Sequence, residues 1–355
     1  WGALGYIWAD TPVAQSAAWI GLYGLSVITV FWAACVHWLF LRKQIFWMVL
    51  VLVGVWPVAW IGGDMRLTMQ KSALTERTVR LVQPNAPQHQ KWDPAFARLF
   101  FERSLEFTAA EPSVDLVVWP ESALPVSFEN AETLIEQIAL AADGTALLLG
   151  ALRLENEKVL NSILYMDQNG VAEVVYDKHH LVPFGEYLPF ERWLDRIGLG
   201  FTSDLFGTGF AAGEGPKRIN IAPLGAIVPL ICYEAVFPQD VSFASQEAAI
   251  LLLLTNDAWF GGFAGPQQHL AQAKMRSIEQ GLPMIRVANT GISAMIDPYG
   301  RSLTQLGLNT AGFIDAQVPQ PAPATLYRRF EIWTVFALLF AILMLSLICR
   351  RQISG

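Results

Sequence analysis

Two long stretches near the start of the chain contain no charged side chain. Residues 17–41 and 45–63 lack Asp, Glu, Lys and Arg, and residues 332–349 form a third such stretch near the end. A helix needs about 20 apolar residues to cross a hydrocarbon core about 30 Å thick. Buried helices of soluble proteins seldom run so long without charge. We therefore expect three membrane-spanning helices, of which the first two form an amino-terminal hairpin.

The composition supports a bilayer partner and excludes several other classes of protein. Charged residues make up 15% of the chain, well below the roughly 25% of soluble domains. Acidic residues outnumber basic ones by 31 to 24, which leaves no electrostatic footprint for a phosphate backbone. Three cysteines and aperiodic glycines and prolines exclude disulfide-framework and collagen-like chains. We expect no nucleic-acid partner.

The short connection between the first two apolar stretches predicts the orientation in the membrane. Arg42 and Lys43 should face the cytoplasm, because basic residues in short loops stay on that side. The segment after the hairpin is then extracytoplasmic, and the tail with Arg350 and Arg351 is cytoplasmic. Arg328 and Arg329 oppose this assignment, since they lie at the outer end of the third helix.

Between the apolar stretches, short β-branched runs alternate with helical patterns, which is typical of an α/β fold. The pattern favours one domain with a mixed sheet. We predict a membrane region over residues 1–63, a linker over 64–77, a catalytic domain over 78–320, and a membrane helix with a cytoplasmic tail over 321–355.

Aromatic side chains are dense in two parts of this domain. Trp259, Phe260 and Phe263 form one group, and the other lies within residues 184–206. The second group consists of Phe184, Tyr187, Phe190, Trp193, Phe201 and Phe206. Such residues either belong to the core or lie at the membrane interface, where aromatic rings are favoured.

Cysteine placement separates one thiol from the others. Cys35 and Cys349 fall inside apolar stretches, so Cys232 is the single thiol of the predicted extracytoplasmic domain. It has no disulfide partner there. An unpaired cysteine in an oxidising compartment is either buried and inert or retained for its chemistry.

Three reactive residue types follow strand-like runs. Glu121, Lys178 and Cys232 each come after a β-branched or apolar run, and the carboxyl ends of strands converge on the ligand crevice of an α/β sheet. Taken singly, they are a loop acid, a surface charge and a small buried hydrophobe. Their common position favours a shared site.

This trio has a coherent chemistry. A carboxylate can take the thiol proton as the sulfur attacks a carbonyl carbon, which assigns the general base to Glu121 and the nucleophile to Cys232. Lys178, with a backbone N–H, can stabilise the resulting oxyanion. The five histidines show no usual metal-ligand spacing. We predict neither a metal nor a cofactor.

Several short motifs surround these residues in order along the chain. They are Leu81-Val82-Gln83-Pro84-Asn85, Lys91-Trp92-Asp93, Trp119-Pro120-Glu121-Ser122, Tyr176-Asp177-Lys178-His179, Pro183-Phe184-Gly185-Glu186, Ile231-Cys232-Tyr233-Glu234, Thr255-Asn256-Asp257-Ala258-Trp259-Phe260 and Asn289-Thr290-Gly291-Ile292-Ser293. Together they resemble the nitrilase superfamily, and above all its membrane-bound branch, the bacterial apolipoprotein N-acyltransferases. The resemblance covers about residues 75–320 and the flanking helices.

The resemblance implies a four-layer α-β-β-α sandwich flanked by transmembrane helices, on the periplasmic side of the bacterial inner membrane. It also implies a two-step acyl transfer. Cys232 would take an acyl chain from a phospholipid as a thioester, and the α-amino group of a diacylglyceryl-modified cysteine at a lipoprotein N-terminus would accept it. Glu121 would then be general base and acid, and Lys178 the oxyanion stabiliser.

The same resemblance implies four supporting residues. Glu186 would orient Lys178 or the acceptor amine, Tyr233 and Glu234 would flank the nucleophile, and Trp92 would lie near a lipid entrance. A structural role is the alternative for Glu186, Glu234 and Trp92. The family carries about eight membrane helices, so a chain with three that begins at Trp1 is expected to be part of a longer protein.

Two other functions are compatible with these residues. An amide or nitrile hydrolase would use the same first half-reaction with water as the acceptor. A membrane-anchored binding protein would carry an inert thiol. The apolar stretches and aromatic loops favour acyl transfer over both, because a small polar amide needs neither feature.

Overall fold

The computed structural model describes residues 2–187, 189 and 209–353, and its centre is a pair of six-stranded sheets packed face to face. The strand pattern alone predicted one mixed sheet, and this was wrong. The strands before residue 178 form the first sheet together with the last strand of the chain, and the other strands after residue 218 form the second. Each sheet buries an apolar face against the other.

Most of the predicted strands and helices are present with small shifts at their ends. The strands are β1 (Leu74–Gln83), β2 (Leu116–Val118), β3 (Ala146–Glu155), β4 (Lys158–Met166), β5 (Ala172–Asp177), β6 (Ile219–Ile221), β7 (Gly225–Ile231), β8 (Ile250–Thr255), β9 (Met284–Ala288), β10 (Ser293–Ile296), β11 (Ser302–Leu306) and β12 (Gly312–Pro319). The α-helices are α1 (Ala17–Leu41), α2 (Ile45–Met69), α3 (Gln88–Lys91), α4 (Pro94–Thr108), α5 (Glu132–Ala142), α6 (Pro238–Ala244), α7 (Gly265–Gln280), α8 (Leu326–Phe330) and α9 (Trp333–Ile353).

The two sheets have related topologies. The first has the order β12-β1-β2-β3-β4-β5, and the second the order β11-β10-β9-β8-β7-β6. Three neighbouring strands in each are parallel, β1-β2-β3 and β7-β8-β9, and the outer strands pair antiparallel. The carboxyl ends of β2, β7 and β8 therefore carry the loops that can meet at one site.

Four layers result from the burial pattern. Leu81 and Val118 of the first sheet and Ile231 and Leu252 of the second belong to the apolar core between the sheets. Helices α4 and α5 cover the outer face of the first sheet, and α6 and α7 cover that of the second. The α-β-β-α sandwich expected from the resemblance is confirmed.

Two helices in the described residues are long and apolar enough to cross a membrane. They are α1, extended by the short helix before it to Pro12–Leu41, and α2. Helix α2 continues past residue 63 to Met69 and β1 begins at Leu74, so the connection is shorter than the predicted linker 64–77. Arg66, in the last turn of this helix, donates to Gln15 Oε1 at 3.0 Å.

The third apolar helix is present with different bounds. Helix α9 covers Trp333–Ile353 instead of 332–349, and its apolar part with described side chains is Trp333–Met344. Of the predicted aromatic group, Phe184 and Tyr187 are exposed. The other members, Phe190, Trp193, Phe201 and Phe206, lie outside the described residues.

The sandwich is fastened to α1 at a break in that helix. Gly21 has a φ of +65°, and the next residue, Leu22, donates its backbone N–H to Glu279 Oε1 of α7 at 2.7 Å. Glu279 is also paired with Arg276 Nε at 2.7 Å, and both side chains are fully buried. A buried charge needs such partners, so α1 and the sandwich share one polar anchor.

We expect Gly21→Ala to lower the free energy of unfolding by about 2 kcal/mol. A positive φ is unfavourable for alanine, and its Cβ would crowd the neighbouring side chains. A Cβ at this position would lie 2.2 Å from Tyr327 Cε2. Thermal unfolding of the detergent-solubilised chain measures the effect. Gly54→Ala is the matched control, since a Cβ there meets nothing within 4 Å. Equal melting temperatures for the two variants would contradict this account.

Candidate active site

The structure brings Glu121, Lys178 and Cys232 together at one cavity of about 400 Å³. Glu121 follows β2 and Lys178 follows β5, both in the first sheet, while Cys232 follows β7 in the second. Lys178 Nζ lies 3.7 Å from Glu121 Oε1. The three predicted reactive side chains therefore share one space, and the junction between the sheets creates it.

The carboxylate of Glu121 is held by donors from both sheets. Asn161 Nδ2 of β4 donates to Oε1 at 2.7 Å, and the backbone N–H of Asn256, after β8, donates to Oε2 at 2.7 Å. Its loop packs directly on β3, where a Cβ at Gly150 would lie 2.6 Å from Glu121 Cα. These contacts fix the carboxylate before any substrate arrives.

Lys178 is almost completely buried, with its side chain 1% exposed, and faces two carboxylates. Its ammonium donates to Glu186 Oε1 at 2.8 Å. Burial by itself lowers the pKa of Lys178, but the negative charges of Glu121, Cys232 and Glu186 outweigh it, so the pKa is raised. Lys178 is thus a fixed cation at neutral pH, as an oxyanion stabiliser must be.

Cys232 sits on a strained backbone at the end of β7. Its φ is +48°, which is rare outside glycine, and its thiol is buried. Burial and the neighbouring charge of Glu121 raise its pKa to about 12, although Lys178 opposes the shift. The resting group is therefore a thiol, and it needs a base to remove its proton during attack.

The four supporting residues fall into two groups. Glu186 and Trp92 line the cavity, and Glu186 Oε2 also accepts the backbone N–H of Val182 at 2.8 Å. Tyr233 and Glu234 are not part of the cavity lining among the residues that the structure describes. Tyr233 packs its ring against Phe237 instead.

Glu234 is a completely buried link between the two sheets. Its Oε1 accepts the Tyr176 hydroxyl at 2.9 Å and the backbone N–H of His179 at 2.7 Å. Its Oε2 accepts the backbone N–H of Ile231 at 2.7 Å. The carboxylate thereby fixes the residues beside Lys178 relative to the residue before Cys232.

Three site residues were not singled out from the sequence. Asn161 lies within a strand and Asn256 acts through its backbone, so neither has a sequence signal of its own. Lys91 is buried, lines the cavity and donates to the backbone oxygen of Glu121 at 3.0 Å. Burial lowers its pKa to about 8 against the raising effects of Glu121 and Cys232. Its place beside Trp92 in a family motif was the available signal.

Metal-ligating atoms meet at a second place, outside the cavity. His179, His180 and Asp240 bring their ligand atoms within 4.8 Å of one another. Sequence spacing did not reveal this group because Asp240 is distant in the chain. In the described residues both His179 Nε2 and His180 Nδ1 approach Asp240 Oδ2, at 3.4 Å and 2.7 Å. Asp240 and Glu234 raise the pKa of His179 to about 9 against the effect of burial.

The rest of the cavity wall is apolar and opens among exposed aromatic rings. Leu152, Val182, Phe210 and Phe260 contribute to the lining, as does Trp259, whose side chain is 70% exposed. Phe184 and Phe263, which are close in the chain to the lining residues Gly185 and Phe260, are also exposed. An apolar wall with a few convergent polar groups is typical of a site for a largely hydrophobic ligand.

Comparisons with known proteins agree with this geometry. The family model for carbon-nitrogen hydrolases matches residues 58–325. The apolipoprotein N-acyltransferase of Rhodopseudomonas palustris is 36% identical over 375 residues, which cover 99% of this chain and 69% of that protein. The chain belongs to the apolipoprotein N-acyltransferase family. Its similarity to the Brucella melitensis member is 38% over 344 residues, or 90% of this chain and 63% of that protein.

A solved structure supports the fold independently. A cysteine-to-alanine mutant of the Nesterenkonia AN1 amidase, a nitrilase superfamily protein, aligns with a TM-score of 0.51 at 21% identity. The alignment covers 70% of this chain and 92% of the amidase.

We expect Glu121→Gln to lower the pKa of Cys232 by about one unit, because it removes a negative charge that opposes the thiolate. The pH profile of Cys232 alkylation by iodoacetamide should move down accordingly. Glu102→Gln, at an exposed position on α4, is the matched control and should leave the profile unchanged. An unchanged profile in Glu121→Gln would show that the two groups do not interact, and an upward shift would show that Glu121 favours the thiolate, against the expectation.

Proposed function

We propose that this chain transfers a fatty acyl chain from a phospholipid to the α-amino group of the diacylglyceryl-modified cysteine at a lipoprotein N-terminus. The observation that carries the proposal is the single cavity in which Glu121, Lys178 and Cys232 meet an apolar wall. Membership of the apolipoprotein N-acyltransferase family supports the acceptor. The apolar wall and the long apolar helices support a lipid donor.

In the first half-reaction, Cys232 Sγ attacks the ester carbonyl carbon of the phospholipid. The thiol proton passes to Glu121, and Lys178 stabilises the negative charge that develops on the carbonyl oxygen. The ester C–O bond breaks, and Glu121 returns the proton to the departing glycerol oxygen. The products are a lysophospholipid and a thioester at Cys232.

In the second half-reaction, the neutral amine of the acceptor attacks the thioester carbon. Glu121 takes a proton from the amine nitrogen and Lys178 again stabilises the oxyanion. The C–S bond breaks and the sulfur regains its proton. Because Asn161 and Asn256 already hold the Glu121 carboxylate in place, the same base serves both steps without moving.

The long apolar helices support an enzyme of the bacterial inner membrane with its sandwich on the periplasmic side. Arg42 and Lys43 lie between α1 and α2 and favour a cytoplasmic turn. The cavity is then on the opposite side, where exposed Trp259 and Phe263 would enter the membrane interface. Phospholipid would reach Cys232 from the outer leaflet of that membrane.

Incubation with labelled phospholipid and a diacylated lipopeptide should give a thioester at Cys232 and then a triacylated product. In Glu121→Gln the thioester should fall at least about 100-fold, since a neutral amide cannot accept the thiol proton. Intact-protein mass spectrometry measures the thioester adduct. Cys35→Ala, which removes a cysteine of α1, is the matched control and should form the same adduct. Released fatty acid without triacylated product would indicate a hydrolase, and absence of any adduct a binding protein.

We expect Trp259→Ser to raise KM for a long-chain phospholipid about 10-fold and to leave kcat nearly unchanged. The exposed ring would become buried against the bound acyl chain, and burial of a large apolar side chain contributes about 1.5–3 kcal/mol. Steady-state transfer from micelles with long and short acyl chains measures this. Leu140→Ser, at an exposed position on α5 and outside the cavity lining, is the control. An equal change for both donors would exclude a role in chain recognition.

A further inference from the structure

A group of three potential metal ligands lies beside the active site and is not used in the mechanism above. It consists of His179 and His180, which follow Lys178 after β5, and Asp240 in the first turn of α6. Their ligand atoms, His179 Nε2, His180 Nδ1 and Asp240 Oδ2, lie within 4.8 Å of one another. Among the described residues, none of the three lines the cavity. The group is therefore a place separate from the reacting atoms.

The spacing of these atoms fits a small divalent ion. Zn²⁺ binds imidazole nitrogen and carboxylate oxygen at about 2.0–2.2 Å, so neighbouring ligands of a tetrahedral ion are about 3.3 Å apart. The distance from His179 Nε2 to Asp240 Oδ2 is 3.4 Å. The distance from His180 Nδ1 to the same oxygen is 2.7 Å, and it has to lengthen by about 0.6 Å, which a partly exposed side chain allows. Two imidazoles and a carboxylate are donors that suit zinc.

The ring of His179 is held from the side opposite Asp240. Its Nδ1 lies 2.7 Å from Glu234 Oε1 and 2.7 Å from the Tyr176 hydroxyl oxygen. Metal-binding histidines commonly have their second ring nitrogen on a carboxylate, which fixes the ring and directs the first nitrogen at the ion. The buried carboxyl group of Glu234 is such a partner, so the orientation that a ligand needs is already built into the fold.

His180 gives a second, independent indication of a ligand. Its Nδ1 is buried and makes no hydrogen bond to any residue that the structure describes, although Asp240 Oδ2 is close. A buried polar atom without a hydrogen bond is costly, and coordination of an ion would satisfy it. The ring is stacked on Phe237, with centroids 3.7 Å apart and an angle of 8° between the planes. Because the side chain is 38% exposed, water can supply a fourth ligand.

We propose that His179 Nε2, His180 Nδ1 and Asp240 Oδ2 bind one divalent transition-metal ion, of which Zn²⁺ fits the donors best. The ion joins the residues after β5, in the first sheet, to α6, which follows Cys232 and covers the second sheet. It holds Lys178 relative to Cys232 without touching either. Binding displaces any proton from the imidazole nitrogens that become ligands. The inference goes beyond the proposed acyl transfer and does not depend on it.

Titration with Co²⁺ tests the site directly, because the visible absorption of this ion is intense when it is four-coordinate. The full chain is purified in detergent through a tag without histidine. We expect one Co²⁺ per chain with a tetrahedral spectrum, and displacement by Zn²⁺, which binds such donors more tightly. In Asp240→Asn and in His180→Phe, which keeps a ring to stack on Phe237, the dissociation constant for Co²⁺ should rise at least about 10-fold.

Two matched controls and one further measurement complete the design. Glu247→Gln removes an exposed carboxylate shortly after α6, and His89→Ala removes an exposed imidazole on α3. Both should bind Co²⁺ as the unsubstituted chain does. Addition of Zn²⁺ should raise the midpoint of thermal unfolding of the unsubstituted chain and of both controls, but not that of Asp240→Asn, since a ligand stabilises only the state that binds it. Circular dichroism confirms that each variant is folded.

The possible results are distinct. An octahedral or absent Co²⁺ spectrum in the unsubstituted chain would overturn the inference, and so would equal affinities in Asp240→Asn and the unsubstituted chain. If a variant does not fold, X-ray absorption of the unsubstituted chain with Zn²⁺ decides, since two imidazole ligands must then be present. The proposed function fails separately if the chain binds the ion but forms no acyl adduct from phospholipid, because the metal titration needs no lipid substrate.

Discussion

The apolar contact between the two sheets is the interaction on which the site depends. Glu121 and Lys178 follow strands of the first sheet, and Cys232 and Asn256 follow strands of the second. Neither sheet alone has a base and a nucleophile. Burial of apolar side chains drives the sheets together, and that packing sets the distances between the reacting groups. Catalytic geometry in this fold is thus a property of the core, so changes that loosen the core also misalign the chemistry.

Compensation of buried charge is the second requirement. Two carboxylates, Glu121 and Glu186, surround the Lys178 ammonium, and Lys91 lies beside Glu121 with a lowered pKa of about 8. Each charge is costly to bury by itself. Together they compensate one another beside the protonated thiol of Cys232, whose pKa is raised to about 12. In the mechanism proposed above, the thiol proton would move only during attack on a carbonyl carbon.

Much of this arrangement was predictable from the sequence, since runs of apolar residues ending in Glu121, Lys178 and Cys232 indicated strand ends. The limits were also physical. Period-2 patterns identify strands but not the sheet to which each belongs, so the strand pattern alone indicated one sheet, and the second sheet was expected only from the family resemblance. Asn161 donates from the middle of a strand, and Asn256 acts through its backbone. Helix α2 continues beyond residue 63, where the uncharged stretch ends, and its Arg66 donates to Gln15. Only the tertiary structure reveals this contact.

The anchor between Glu279 and the break at Gly21 has a consequence for how the enzyme meets its lipid. The hydrogen bond from Leu22 to Glu279 joins the helix and the sandwich at a completely buried point. Because this contact holds α1 against α7, the sandwich should tilt together with α1. In the membrane orientation proposed above, the length of α1 would set the depth of the cavity mouth relative to the bilayer, so bilayer thickness would control access.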